Sequence, residues 1–151
     1  DKKKSVYDED LIAIVMEETA RVPDKYELVY LNVTSSSMAV PHATVKMKVD
    51  GEEQVEDASG DGMVDACYKA ISKITEMDLQ LERYSVQSIT GGTDAQGEVS
   101  CLLQQNGTSV NGRGSHTDII MASALAFTNA LNKLAYLERY GNQSGVHREG
   151  P

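Results

Sequence analysis

The stretch that decides the fold lies near the end of the chain and reads Gly112-Arg113-Gly114-Ser115-His116-Thr117-Asp118-Ile119-Ile120-Met121-Ala122-Ser123. Its pattern predicts a glycine-rich turn that runs directly into a helix. Thr117 is the predicted N-cap, and Asp118 lies where the helix dipole favours negative charge. Glycines allow close approach of the backbone, and the free amides of a helix start can bind an anion. Such a turn is weak evidence for a site unless the chain repeats it.

The chain contains a counterpart upstream, Gly60-Asp61-Gly62-Met63-Val64-Asp65-Ala66-Cys67, which also precedes a helical pattern. An offset of 56 residues (107 − 51) places Asp50-Gly51 on Asn106-Gly107. The same offset superposes the alternating apolar residues of two predicted strands, namely Ala43, Val45 and Met47 on Val99, Cys101 and Leu103. Self-similarity of this extent predicts a duplicated unit.

Each unit is predicted to be a three-stranded sheet followed by a helix. Apolar and polar residues alternate from Val40 to Val49, which is typical of a strand with one buried face. Asp50-Gly51 indicates a hairpin because a type I′ turn needs positive φ at both central residues. The predicted strands are 26–35, 40–49, 52–57, 79–90, 95–105 and 108–112, and the helices run from Gly62 onward and from about Thr117 to Arg139. Their predicted buried residues are Val64, Cys67, Ile71, Ile74, Ile120, Ala124, Phe127, Leu131 and Leu134.

The predicted fold class is therefore α+β, two pseudo-repeated βββα units preceded by a short helical linker segment. We expect the linker over residues 1–24, a domain over 25–140 made of repeats 25–78 and 79–140, and a flexible tail over 141–151. The length of 151 residues suffices for one domain with a real core.

Composition excludes several partners. A net charge of −9 and a pI near 4.7 argue against nucleic acid and against an anionic membrane surface. The sequence contains no apolar run of 18 residues, so no membrane span is predicted. Cys67 and Cys101 lie on apolar faces and are interpreted as buried thiols of a cytoplasmic protein.

No catalytic or metal site is predicted from the residues. Gly112 and Gly114 resemble part of a dinucleotide fingerprint, but Thr117 stands where its third glycine belongs. The histidines and cysteines lack metal-ligand spacing. A Cys67–His116 nucleophile pair has no further support, and carboxylates such as Asp61, at a helix start, more often act as caps.

These residues carry a resemblance to a family. The pattern Gly112-Arg113-Gly114-x-x-Thr117-Asp118-Ile119-Ile120-x-Ala122-Ser123, with Asn129-Ala130-Leu131-Asn132 and Gly60-Asp61-Gly62, resembles the C-terminal regulatory domain of 2-isopropylmalate synthases over roughly residues 1–138. Lys2-Lys3-Lys4 and Asp8-Glu9-Asp10-Leu11 resemble the linker subdomain that joins it to the catalytic barrel. Citramalate synthases share the regulatory fold, and the full pattern is more similar to the leucine-pathway enzyme.

The resemblance implies a parent acyltransferase that condenses acetyl-CoA with 2-oxoisovalerate on a metal-dependent barrel. L-leucine would be its feedback inhibitor, bound near a homodimer interface. This chain lacks the barrel, so we expect no catalysis, no catalytic residue and no cofactor or metal in it, although the parent barrel would use a divalent metal. The implied partners are leucine, a second copy, and the catalytic barrel of the same chain.

The resemblance also implies a leucine site drawn from both repeats. Its residues are Gly60, Asp61, Gly62, Val64, Tyr84, Ser88, Ala95, Ser115 and Thr117. The residue chemistry suits an amino acid, since helix-start amides bind a carboxylate and Asp61 can accept from an ammonium group. Val64, Ile89 and Ala95 would line an apolar slot for the side chain.

Three alternatives remain open at this point. The chain could be the isoleucine-binding regulatory domain of a citramalate synthase, or a dimerisation module without a ligand. It could also be a small enzyme that uses Asp61 or Cys67. Ligand-dependent stability separates the first two from each other, and turnover would favour the third.

Overall fold

A computed structural model describes residues 24–88 and 96–141. The elements, in chain order, are β1 (Tyr26–Ser36), β2 (Ala39–Val49), β3 (Glu52–Ser59), α1 (Met63–Thr75), β4 (Gln80–Ser88), β5 (Gly97–Gln105), β6 (Thr108–His116) and α2 (Ile119–Tyr140). The prediction of an α+β fold with two βββα units is confirmed. The predicted linker helix and the predicted tail lie outside the described residues, apart from Asp24 and Gly141.

The two sheets are separate antiparallel meanders with the orders β1-β2-β3 and β4-β5-β6. Their second hairpins turn at Asp50-Gly51 and Asn106-Gly107, where φ is 54°, 87°, 50° and 81° in turn. Positive φ at both central residues is the property that the sequence pattern predicts. The duplication extends to irregularities, since β1 has a bulge between Leu28 and Tyr30 and β4 has one between Leu81 and Arg83.

The core lies between each central strand and the helices. The inward residues of β2 and β5 and the facing residues of both helices are buried, and Phe127 and Met47 are the largest fully buried side chains. The predicted burial holds for all the helical residues proposed except Val64 and Ile120. Both of these are only half-buried, since they lie in the first turn of their helices, at the margin of the core.

The predicted glycine-rich turn at 112–116 is wrong, because those residues continue strand β6 to His116. Gly112 pairs with Cys101 and Gly114 pairs with Val99, so both glycines lie on the buried face. A Cβ on Gly114 would stand 2.4 Å from the Ala122 carbonyl oxygen. A Cβ on Gly112 would stand 2.2 Å from the carbonyl oxygen of Ala126. The glycines therefore permit close packing of strand on helix.

The N-cap of the last helix also differs from the prediction. Asp118 takes this position in place of Thr117, and its carboxylate oxygen Oδ1 accepts a hydrogen bond of 2.9 Å from the Ile120 amide. An aspartate side chain at the N-cap satisfies an amide that has no partner within the helix.

The two units are joined through α2. The Phe127 ring meets the Tyr68 ring of α1 edge-on, with centroids 5.3 Å apart. The Asn132 side chain accepts from the Tyr26 amide at 2.8 Å and donates to the Tyr26 carbonyl at 2.9 Å. Tyr26 is 2% exposed and Asn132 is 8% exposed, so this amide supplies the pairing that a neighbouring strand would otherwise give.

We expect Asn132→Ala to lower the free energy of unfolding by about 2–3 kcal/mol, because it leaves two buried backbone groups unpaired. The measurement is urea denaturation followed by circular dichroism. Asn129→Ala is the matched control on the same helix: its side chain accepts only one hydrogen bond, from the half-exposed strand amide of Arg113, and it should cost less than about 1 kcal/mol. Equal losses for the two variants would contradict the bridging role.

We expect Gly114→Ala to destabilise the fold by at least about 1–3 kcal/mol, because the atoms that its Cβ would meet belong to helix backbone. Gly62→Ser is the control: its backbone is extended and a Cβ there has nothing within 4 Å. Serine at this N-cap should leave stability unchanged or raise it. Thermal unfolding of both variants checks the difference, and a tolerated Gly114→Ala would disprove the tight contact.

Candidate functional site

The residues of the predicted leucine site form two groups at corresponding ends of the two sheets. The first comprises Gly60, Asp61, Gly62 and Val64, which follow β3, and the Gly60 amide donates to the Pro41 carbonyl at 3.1 Å. Strand pairing fixes this end of the sheet, with Ser59 opposite His42.

The second group lies around the end of the second sheet. Ser88 is opposite Gly97, which is in turn opposite His116. Ser115 and Thr117 flank His116 and are exposed. Ala95 lies outside the described residues, as does Ile89. The two groups occupy equivalent places in the duplicated units, because Ser59 and Ser115 are 56 residues apart (115 − 59).

The start of α1 is open. Gly62 is its N-cap and has no side chain to satisfy the first amides of the helix. These amides have no intrahelical partners, so they remain available to an anion. Space is also present, since a Cβ on Gly62 would meet nothing within 4 Å. Gly60 differs, because its Cβ would stand 2.4 Å from the Ala66 nitrogen, so this glycine is required for packing.

A carboxylate of the chain already occupies part of this loop. The Asp61 amide donates to Asp65 Oδ2 at 2.9 Å, and the Lys69 ammonium lies 3.2 Å from the same oxygen. The hydrogen bond from the Asp61 backbone, followed by the Lys69 interaction, holds the Asp65 pKa below its ordinary value. This interaction stabilises the fold at neutral pH, and the stabilisation is lost as the pH falls through the lowered pKa. Asp65 therefore orders the loop, while Asp61 keeps its own carboxylate exposed.

The start of α2 is closed by its own residues. The Asp118 side chain caps Ile120, and the Asp118 amide donates to His116 Nδ1 at 2.9 Å. Nδ1 therefore carries no proton in this arrangement, and the imidazole acts as an acceptor. Ser115 and Thr117 stand beside a helix start whose amides are partly used, so α1 offers the better anion site of the two.

Tyr84 connects the second group to the core. Its hydroxyl lies 2.6 Å from Ser123 Oγ, and Ser123 Oγ donates to the Ile119 carbonyl at 2.8 Å. Because the serine proton is directed to Ile119, the Tyr84 hydroxyl is the donor to Ser123. The ring also packs on Phe127, with centroids 6.4 Å apart. Tyr84 is thus fixed by the first turns of α2.

The structure argues against thiol catalysis. Burial raises the pKa of Cys67 to about 12 and, as the main cause, that of Cys101 to about 11, so neither is a thiolate at neutral pH. The Cys101 thiol donates to the Ala126 carbonyl at 3.6 Å within the core. Over residues 24–88 and 96–141, no group of three or more His, Cys, Asp or Glu side chains could hold a metal ion.

Sequence reasoning missed Asn132 as the joint between the units, and it misassigned Gly112 and Gly114. A pattern that could have identified the strand was present, since Val110, Gly112 and Gly114 continue a period of two. The joint has no such pattern, because its partner is the backbone of Tyr26 rather than a side chain.

Comparisons with known proteins agree with this geometry. Residues 5–135 match the family described as LeuA allosteric (dimerisation) domain. The chain is 56% identical over 140 residues to the 2-isopropylmalate synthase of Syntrophus aciditrophicus and 51% identical over 147 residues to that of Nitratidesulfovibrio vulgaris. These alignments cover 92% and 97% of this chain but only 27% and 29% of the relatives.

The chain thus spans somewhat more than a quarter of the length of the curated relatives it matches. Neither helix of the described part is long and apolar enough to cross a membrane. The matched region includes both βββα units almost to the end of α2. By this match and by these identities, the chain belongs to the LeuA allosteric (dimerisation) domain family.

Proposed function

We propose that the chain is the regulatory part of a cytoplasmic 2-isopropylmalate synthase, where it binds L-leucine for feedback inhibition and contributes to a homodimer. The observation that carries the proposal is the open start of α1, where Gly62 leaves both amides and space for a small anion. The family description and the names of the relatives support it.

Leucine recognition follows from the groups around this opening. The first-turn amides of α1 bind the leucine carboxylate, and the exposed Asp61 carboxylate accepts from its ammonium group. Half-buried Val64 offers an apolar surface to the isobutyl side chain. Ser88, Ser115, Thr117, Tyr84 and Ala95 complete the proposed site from the second unit.

Catalysis belongs to the rest of the proposed parent enzyme. In this proposal the condensation of acetyl-CoA with 2-oxoisovalerate takes place on a separate barrel that carries the divalent metal. The described residues supply no nucleophile, since the Cys67 thiol is buried. Their role is to sense leucine and to hold two copies together.

We expect saturating L-leucine to raise the melting temperature of the chain by about 5–10 °C. A ligand at 100 times its dissociation constant adds about 2.7 kcal/mol, and each kcal/mol shifts a domain of this size by about 2–4 °C. Differential scanning fluorimetry with glycine as the control measures the shift. Gly62→Val should abolish it while the circular dichroism spectrum stays unchanged, because a branched side chain fills the open space.

Two outcomes of the same scan lead elsewhere. A leucine scan identical to the glycine scan would refute ligand sensing and leave a dimerisation module. A larger shift with isoleucine than with leucine would instead favour the regulatory domain of a citramalate synthase.

Dimerisation is supported by apolar side chains that one copy leaves exposed. Met38 is 91% exposed and Val40 63% exposed at the β1–β2 hairpin, and Val86 on β4 is 46% exposed. Strands β1 and β4 are edge strands, with unpaired backbone groups that invite pairing with another chain. Strand β3 is unsuited to this contact, because its acidic side chains would repel those of a second copy.

We expect light scattering at micromolar concentration to give twice the chain mass of 16.4 kDa. Val40→Glu should shift the population toward monomer, because it places a charge in the proposed apolar interface. Val55→Glu is the control, since Val55 is 53% exposed among the acidic residues of β3 and should leave the mass unchanged. A monomeric unmodified chain would overturn the homodimer.

A further inference from the structure

A second concave surface lies away from both groups of the proposed leucine site. It is an open groove of about 460 Å³ between the end of β3, one side of α1 and the connection that leads to β4. Ala58, Met77 and Leu79 supply its apolar surface. The volume falls within the range of about 300–1,000 Å³ that is usual for small-molecule pockets.

Two hydroxyls in the wall of this groove are buried without a hydrogen-bond partner. They are Tyr68 Oη and Ser72 Oγ, which lie one turn apart on α1. Desolvation raises the Tyr68 pKa, although the neighbouring Ser72 hydroxyl acts in the opposite direction, so the phenol is neutral and can donate. A buried hydroxyl without a partner is destabilising by about 1–3 kcal/mol, and native proteins rarely retain one without a reason.

Two ammonium groups also border the groove. Lys73 Nζ donates to the Asp57 carbonyl at 2.7 Å, and Lys69 Nζ lies 3.2 Å from Asp65 Oδ2. These contacts hold both side chains in place, while each ammonium keeps further donors. Asp78 is the one carboxylate in the lining of this groove, so the positive groups outnumber it in a chain whose net charge is −9.

We propose that this groove is a second ligand site, which binds a small monocarboxylate with a compact apolar body. The Tyr68 and Ser72 hydroxyls hydrogen-bond the carboxylate, and Lys69 and Lys73 compensate its charge. The apolar body packs on Ala58, Met77 and Leu79. The site is separate from the leucine site, and its ligand needs no ammonium group.

Benzoate is a suitable probe, because it has this chemistry and does not resemble leucine. We expect titration of the whole chain with benzoate to give saturable shifts of the Ser59, Ser72 and Leu79 amide resonances in ¹⁵N–¹H NMR spectra. The amides of Gly62 and Thr117 should not move. Benzamide, which has the same shape without the charge, should bind at least tenfold more weakly, and saturating leucine should leave the benzoate affinity unchanged.

The double variant Tyr68→Phe/Ser72→Ala tests the hydroxyls. It keeps the ring contact with Phe127 and removes only unpartnered groups, so its melting temperature should be unchanged or higher. Its benzoate affinity should fall at least tenfold. Lys73→Gln should also weaken binding, whereas Lys48→Gln, a charge-matched change on β2, should not.

Several results would overturn the proposal. These are equal binding of benzamide and benzoate, an unchanged benzoate affinity in the double variant, or shifts centred on Gly62. Since leucine binding is measured separately in the same variants, a failure of this site is distinguishable from a failure of the proposed leucine response.

Discussion

The structure depends on the contact between the backbone of β6 and the backbone of α2. Gly112 and Gly114 face a stripe of fully buried alanines on the helix, Ala122, Ala126 and Ala130, spaced four residues apart. Small residues on both sides bring strand and helix closer than ordinary side chains allow, and interior packing leaves no room to relax the contact. The helix is therefore fixed over β5, and its later residues are in place to reach the first unit.

The two units share a plan but have diverged in use. At the positions where β6 carries Thr108, Val110 and Gly112, strand β3 carries Glu52, Gln54 and Glu56, which are exposed. Its helix is also shorter, 13 residues against 22. The second unit thus provides most of the buried core, including Phe127. The first unit provides a helix start capped by Gly62 instead of Asp118, which leaves it open. One copy of the duplicated unit has kept the packing, and the other has kept the accessible loop.

Most of the fold follows from local patterns in the sequence. The hairpins at Asp50-Gly51 and Asn106-Gly107 are determined by backbone conformation within a few residues, and the alternation along β2 identifies its buried face. The stretch around Gly112 was harder, because glycine suggests a turn when it is considered alone. Its actual role depends on alanines that lie on a different element and meet it only after packing.

The candidate site could be predicted in its residue types but not in its state of occupation. Gly60 and Gly62 look alike in the sequence, yet a Cβ is excluded at the first and tolerated at the second. That difference arises from the position of the Ala66 backbone. Likewise, no local pattern indicates that the Tyr68 and Ser72 hydroxyls are buried without partners, since this depends on how β3 and residues 77–79 cover α1.

The Asn132–Tyr26 bridge has a consequence for the order in which the chain folds. Its partners are 106 residues apart, so it closes nearly the whole domain into one loop. Contacts of such separation carry a large closure entropy and form after the local hairpins and helices. During synthesis, Asn132 also leaves the ribosome long after Tyr26. The first strand can pair with β2 early, but its first residue is fixed only when the last helix has docked. The junction with whatever precedes Tyr26 is therefore set in the final stage of folding, and it reports on the completion of the whole domain.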